Sequence, residues 1–328
     1  MNQRQTDLLK LIVEEYIKLA RPVSSKSLCE VMNCSSATIR NEMSNLEDMG
    51  LLEKTHTSSG RIPSETGYRY YVDHIMKPEE LTGEDVLKLQ QIFHNNSLAI
   101  SDAIKLSLQL VADITNYTVI TLGAASKENK VTRVMVEPIN EQNMIAIVIT
   151  DKGHVEHQEL HFNQYVDQEE VKKTVELINK RIVGTPIVEV SRKLEYEVKP
   201  VIGTLVKQHE VLYQAFFNAF HTFAHEEDIQ VNSASNILSQ PEFDDATKIR
   251  EIVSKFDDKT VIRSIREDEN GIHIYIGSET EFDDDVSIVK AKYEVNGEEG
   301  TIALVGPKRM EYSRVIALLD YITKNLER

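Results

Sequence analysis

Residues 35–50 read SSATIRNEMSNLEDMG, and the two faces this stretch makes when wound as a helix decide how the first part of the chain folds. Ile39, Met43 and Leu46 recur at the i, i+4, i+7 spacing of one helical side. Ala37, Asn41 and Ser44 lie roughly opposite, with Ser36 and Arg40 on the flank. A solvated face would ordinarily carry Glu and Lys. Short side chains with one Arg and one Asn suit close approach to a surface such as the floor of a DNA groove. Ser35 is the expected N-cap, and Gly50 the stop.

Working outward, QRQTDLLKLIVEEYIKLA (3–20) is an amphipathic helix with Leu8, Leu9, Ile12, Val13, Tyr16 and Ile17 inward, ending near Arg21-Pro22. SSKSLCEVM (24–32) predicts a second helix, capped by Ser24 or Ser25, with Leu28, Val31 and Met32 inward. Asn33-Cys34-Ser35 then makes a tight turn into the quoted helix. In LLEKTHTSSGRIPSETGYRYYVDHI (51–75), two short strands flank a Thr57-Ser58-Ser59-Gly60 tip, and a helix capped near Ser64 turns Tyr68, Tyr71, Val72 and Ile75 inward. Helix, helix, tight turn, helix and two-stranded wing make a winged helix-turn-helix over residues 1–77. Arg40 and Asn41 are the candidates for base edges, because Arg pairs with guanine and Asn with adenine through two hydrogen bonds each. Ser36 and Ser44 are candidates for bases or phosphates, and Ala37 for a thymine methyl. Lys26, Lys54, His56 and Arg61 are placed to hold phosphates. Two other readings stay open: a winged helix that binds protein, and an Arg40 engaged in a surface ion pair with Glu47 or Asp48.

The net charge of −16 over 328 residues argues against nucleic acid until it is divided along the chain. Residues 1–76 carry nine Lys and Arg against ten Asp and Glu, a net of −1, so nearly all the excess acid lies beyond them. That asymmetry permits a DNA-facing module at one end of an otherwise phosphate-repelling protein. The opening MNQRQTDLLK has no apolar signal region, and the longest apolar run, MIAIVI (144–149), is far short of a membrane span. A cytoplasmic protein with no membrane contact is expected. Cys29 and Cys34 are too few for a structural zinc site and a poor disulfide framework.

Beyond Pro78–Thr82 a helical stretch leads into strands at TVITLGA, VTRVMVEPI, MIAIVITDK and VEHQELHF. Residues 168–224 read as helices, and strands return at IHIYIG, SIVKAKYEV and TIALVG before a final helix. Two groups of strands separated by helical sequence predict an α+β domain, 82–162 and 257–328, split by a mainly helical insert at 163–256. Within the insert, Leu212, Phe216, Phe217, Phe220 and Phe223 recur at helical spacing; such a stripe is either the insert's own core or an interface. No catalytic or cofactor motif is present. His154, His157 and His161 do not converge if they lie on a strand, FDDDVS (282–287) lacks the spacing of a calcium loop, and VGPKRM (305–310) lacks the glycines of a phosphate loop. The chain is therefore not expected to be an enzyme, nor to carry a metal or cofactor.

The stretch RPVSSKSLCEVMNCSSATIRNEMSNLEDMGLLEKTHTSSGRIPSETGYRYYVD (21–73), with VNSASNIL (231–238) and EGTIALVGPKRMEYSRVIALLDYI (299–322), resembles the HrcA family of heat-inducible transcription repressors. The resemblance runs from end to end and puts the recognition helix on Ser35 to Met49 and the wing on Lys54 to Ile62. It implies a homodimer that represses chaperone operons at an inverted-repeat operator called CIRCE. It implies that the split domain is GAF-like and that the insert serves dimerisation. It also implies dependence on the chaperonin GroEL for an active fold, so that repression falls when heat-damaged proteins occupy the chaperonin. The alternative is a metabolite-responsive regulator with a ligand in the GAF-like domain.

Overall fold

A computed structural model of the chain describes residues 1–54, 60–95, 100–123, 129–140, 142–151, 155–163, 165–207, 209–225, 229–267, 269–295 and 298–326. The chain divides into two compact units, one formed by Met1–Leu122 with Ile229–Arg328, the other by Gly123–Asp228.

The first unit opens with α1 (Gln3–Leu19), α2 (Cys29–Met32), α3 (Ser36–Asp48), strands β1 (Leu52–Lys54) and β2 (Arg61–Pro63), and α4 (Glu65–Tyr70), which runs into one π turn, Tyr71–Ile75. Asn2 and Gln5 cap α1 reciprocally, Ser35 accepts from the Thr38 amide to start α3, and Gly50, at φ +74, ends the turn after α3. Ile39, Met43 and Leu46 are at most 2% exposed in a core shared with Leu8, Leu9, Ile12 and Val13 of α1. Burying each such side chain contributes about 1.5–3 kcal/mol. The strands β1 and β2 pair antiparallel, and Val23 bridges to Arg61 on the outer edge of β2. The second helix is shorter than the pattern predicts. Residues 25–28 form a turn, and Val31, expected inward, is 68% exposed, the core being reached from this segment by Leu28 and the half-buried Cys29 and Met32. Ser64 ties α4 in place: its hydroxyl accepts from the Gly67 amide at 2.9 Å and donates to the Gly50 carbonyl at 2.6 Å. A Cβ on Gly67 would overlap the Leu51 carbonyl, so only glycine allows this approach. Ser64→Ala is expected to cost about 1 kcal/mol, read as a lowered unfolding midpoint in denaturant.

After α5 (Gly83–Phe93) and α6 (Ile100–Thr115) comes β3 (Thr118–Leu122). The second unit holds β4 (Val131–Pro138), β5 (Asn143–Thr150), β6 (Val155–His161) and helices α7 (Gln168–Ile182), α8 (Ile187–Lys193), α9 (Lys199–Leu205) and α10 (His209–His225). The first unit resumes with β7 (Ile229–Asn232), α11 (Ser235–Leu238), α12 (Ala246–Asp257), α13 (Lys259–Ser264), β8 (Ile272–Ile276), β9 (Val286–Val295), β10 (Glu298–Pro307) and α14 (Tyr312–Leu326).

The five-stranded sheet of the first unit has the order β7-β3-β10-β9-β8, antiparallel throughout. Alternate residues of β10 serve two cores. Ile302 and Leu304 pack with Leu108, Val111, Leu318 and Ile322 of α6 and α14, while Ala303 and Val305 pack with Ile237, Ile252 and Ile262 of α11–α13. Both faces of this sheet are thus covered by helices.

The strands β4-β5-β6 form a separate antiparallel sheet, and β5 alternates half-buried and buried along its length, so its inward face alone meets the helices. This moves both expected boundaries. Residues 131–161, assigned from the pattern to the split domain, pair only with one another in the second unit. Residues 229–256, assigned to the insert, return to the first unit because β7 pairs with β3. The inserted unit accordingly holds a three-stranded sheet beside its helices. Both of its connections leave from one place, since Leu122 and Ile229 are register partners. The aromatic stripe of α10 is core: Leu212, Phe216 and Phe220 are at most 1% exposed, and Phe217 packs half-buried against them; the side chain of Phe223 lies outside the described residues. No helix among the described residues is long and apolar enough to cross a membrane.

Candidate nucleic-acid interface

The outer face of α3 is where the small polar residues gather. Ala37, Arg40, Asn41 and Ser44 are all exposed, at the i, i+3, i+4, i+7 positions of one helical stripe, opposite the buried Ile39, Met43 and Leu46. The helix is held from behind. Gln5 of α1 donates to Glu42 at 3.1 Å, and the Ser36 hydroxyl shares a 2.8 Å hydrogen bond with that of the buried Ser25, which turns Ser36 partly toward the preceding segment. Such a mount presents a rigid row of short side chains with one guanidinium and one carboxamide. Those are the groups that read guanine and adenine edges in the major groove.

Of the residues expected at phosphates, Lys26 and Lys54 are exposed beside this face, on the segment before α2 and at the end of β1. Arg40 and Lys54 form no ion pair among the described residues. Arg61 is different. Its side chain is 12% exposed, with Nη2 at 2.6 Å and Nε at 2.8 Å from the Glu47 carboxylate. This contact fastens β2 to the last turn of α3. Glu47, raised as a partner for Arg40, is engaged by Arg61 instead. His56 and the rest of the wing tip, 55–59, lie outside the described residues.

The other sequence candidates are dispersed. His161 contacts the Asn143 side chain at 2.6 Å, His154 lies outside the described residues, and among the described residues no group of three or more His, Cys, Asp or Glu is placed to hold a metal. In FDDDVS, Asp283 pairs with Lys248 at 2.7 Å and Lys255 at 3.3 Å, and Asp285 with Lys248 at 2.9 Å. Two carboxylates of the run are therefore paired within the chain, and at Asp283 the upward pull of burial is outweighed by the Lys248 ammonium and the Asp285 amide, which hold it below the usual carboxylate range. A pocket beside β8 and β9 encloses about 180 Å³, lined by Tyr275, Phe282 and Lys290 among others, less than the ~300–1,000 Å³ of most ligand sites.

Residues whose role sequence reasoning left open proved to be fasteners. Asn236 of VNSASNIL donates to the carbonyls of Ala112 and Tyr117 at 3.0 and 3.1 Å, and Arg309 of VGPKRM binds Glu242 at 2.5 Å and Gln240 at 2.9 Å. Each joins segments more than sixty positions apart, which nothing local to either motif reveals.

Residues 1–73 match the family described as "Winged helix-turn-helix transcription repressor, HrcA DNA-binding", and residues 101–316 match "HrcA protein C terminal domain". The heat-inducible transcription repressor HrcA of Bacillus pumilus (strain SAFR-032) is 36% identical, covering 99% of this chain and 97% of that protein. Among solved structures, one described as a hypothetical protein is 25% identical and superposes with a TM-score of 0.67, covering 100% of this chain and 98% of that one.

Proposed function

The chain belongs to the HrcA family of heat-inducible transcription repressors, and on that premise we propose that it acts as a homodimer whose two α3 helices enter successive major grooves of an inverted-repeat operator. It is a heat-inducible transcription repressor with a winged-helix DNA-binding domain. The observation that carries the finer reading is the exposed stripe Ala37, Arg40, Asn41 and Ser44 on a helix braced from behind. In this reading Arg40 and Asn41 take base edges, Ser44 and Ser36 a base or phosphate, and Ala37 a thymine methyl. Lys26, Lys54 and the wing-tip His56 take phosphates. The protein works beside the chromosome in the cytoplasm and catalyses no reaction of its own.

Phosphate and base contacts separate by their salt response. Lys54→Ala is expected to weaken operator and scrambled duplex alike and to lower the slope of log affinity against log salt by about one. Titrations of both duplexes at several salt concentrations measure this. A loss confined to the operator would move Lys54 to the base-reading set.

Dimerisation through the inserted unit and dependence on the chaperonin GroEL belong to the same proposal. Val188, Tyr196 and Leu205 stay 45%, 71% and 60% exposed on the helices of that unit, which offers apolar surface to a second copy. The chaperonin reading is supported by topology. The pairing of β3 with β7 joins strands separated by the whole of residues 123–228, and such distant pairing forms slowly and leaves apolar strands open meanwhile. Heat-inactivated protein should regain operator binding faster with chaperonin and ATP than without. Equal recovery in both would remove this part.

A further inference from the structure

The winged helix is not hung on a free tether. Tyr68 and Tyr71 lie in the same apolar cluster as Met310, Tyr312 and Leu319 of the sheet-bearing part of the first unit. Beside that shared core, α4 is gripped by the turn after β8. Arg69 Nη2 donates to the Ile274 carbonyl at 2.6 Å and pairs with the Glu279 carboxylate, which Arg69 Nε also reaches at 3.0 Å. Glu65 accepts from the Ser278 amide at 3.2 Å and from the Ser278 hydroxyl. Gly277 sits at φ +54, where a Cβ would overlap the Glu65 carboxylate, so the turn is shaped to admit this side chain. Two side chains one helical turn apart thus close on one short turn from both sides, and together they fix rotation as well as distance.

We infer that this latch sets the orientation of the winged helix and makes Glu65 and Arg69 determinants of operator spacing, although neither lies on the α3 face that meets DNA. The inference rests on the dimeric reading above. Adding one base pair between half-sites shifts the second by about 3.4 Å and turns it by about 34° around the duplex. A head latched to the sheet of its own unit follows that displacement only if the whole unit moves, whereas a head freed from the latch can swing toward it by itself. Spacing discrimination is then a property of the mount, and base discrimination a property of α3.

The test uses the full chain as wild type, Glu65→Ala and Arg69→Ala, each titrated with the native operator, with operators whose spacer is two base pairs longer or shorter, and with a single half-site. Wild type should bind the altered spacers at least about tenfold more weakly, because the second half-site is no longer engaged. Both variants should narrow that ratio to below about threefold while binding the single half-site as wild type does. The unchanged half-site binding also shows that their winged helix is folded. Wild-type spacer discrimination in both variants, or loss of half-site binding in both, would overturn the inference alone. A wild-type chain that sediments as a monomer and binds one half-site would fail the dimeric reading and take the inference with it.

Discussion

Excising residues 123–228 and closing Leu122 to Ile229 with an Asn-Gly turn is expected to leave a folded monomer that binds its operator about 10²- to 10⁴-fold more weakly. The fold survives in this expectation because the two cut ends are register partners on neighbouring antiparallel strands, Leu122 on β3 and Ile229 on β7. A two-residue type I′ turn is the natural closure of such a pair. The second unit also has its own core, from Val134, Met144 and Val148 to Phe216 and Phe220, so its removal withdraws no side chain from the cores around the five-stranded sheet. The affinity falls because half-sites bound by separate monomers lose the effective concentration that a dimer supplies. Sedimentation and operator titration of the excised chain measure both halves of the expectation. An excised chain that stays dimeric would move the interface to the first unit.

Arg40→Ala is expected to cost about 1 to 3 kcal/mol on the operator and much less on scrambled duplex. Arg40 is exposed on α3 and forms no ion pair among the described residues, so its removal leaves no carboxylate stranded and should not lower stability. The contrast with Arg61 is instructive. Arg61 is bonded to Glu47 and only 12% exposed, so Arg61→Ala would loosen the wing and weaken every duplex through misplacement of β2. Equal losses on both duplexes for Arg40→Ala would end its base-reading role.

The winged helix was legible because α1 and α3 each bury a single stripe, and a 3.6-residue period shows directly which side that is. Val31 escaped because a four-residue helix has too little length for its period to be read. The limits of the insert escaped for a different reason. The strands β3, β5 and β10 are all apolar runs, and nothing local to a strand names its partner. One signal was present: β4 and β6, VTRVMVEP and VEHQELH, interleave polar residues as a sheet with one wet face does, whereas β3 and β10 are buried on both faces. The Arg61–Glu47 pair was not legible because an arginine suits a phosphate as well as a carboxylate, and the contact depends on how β2 lies against α3. The outward stripe of α3 could be read correctly because it needs only the helix and the identity of its buried side.

The most direct test of α3 in the major groove is protection of guanine N7, which faces that groove alone, against dimethyl sulfate methylation when the intact protein is bound to its operator. The account predicts protected guanines placed symmetrically in the two half-sites, their centres one helical turn of about 34 to 36 Å or a multiple of it apart, with protection lost at a single guanine per half-site in Arg40→Ala. Binding that shields the phosphates while leaving every guanine N7 reactive would contradict it.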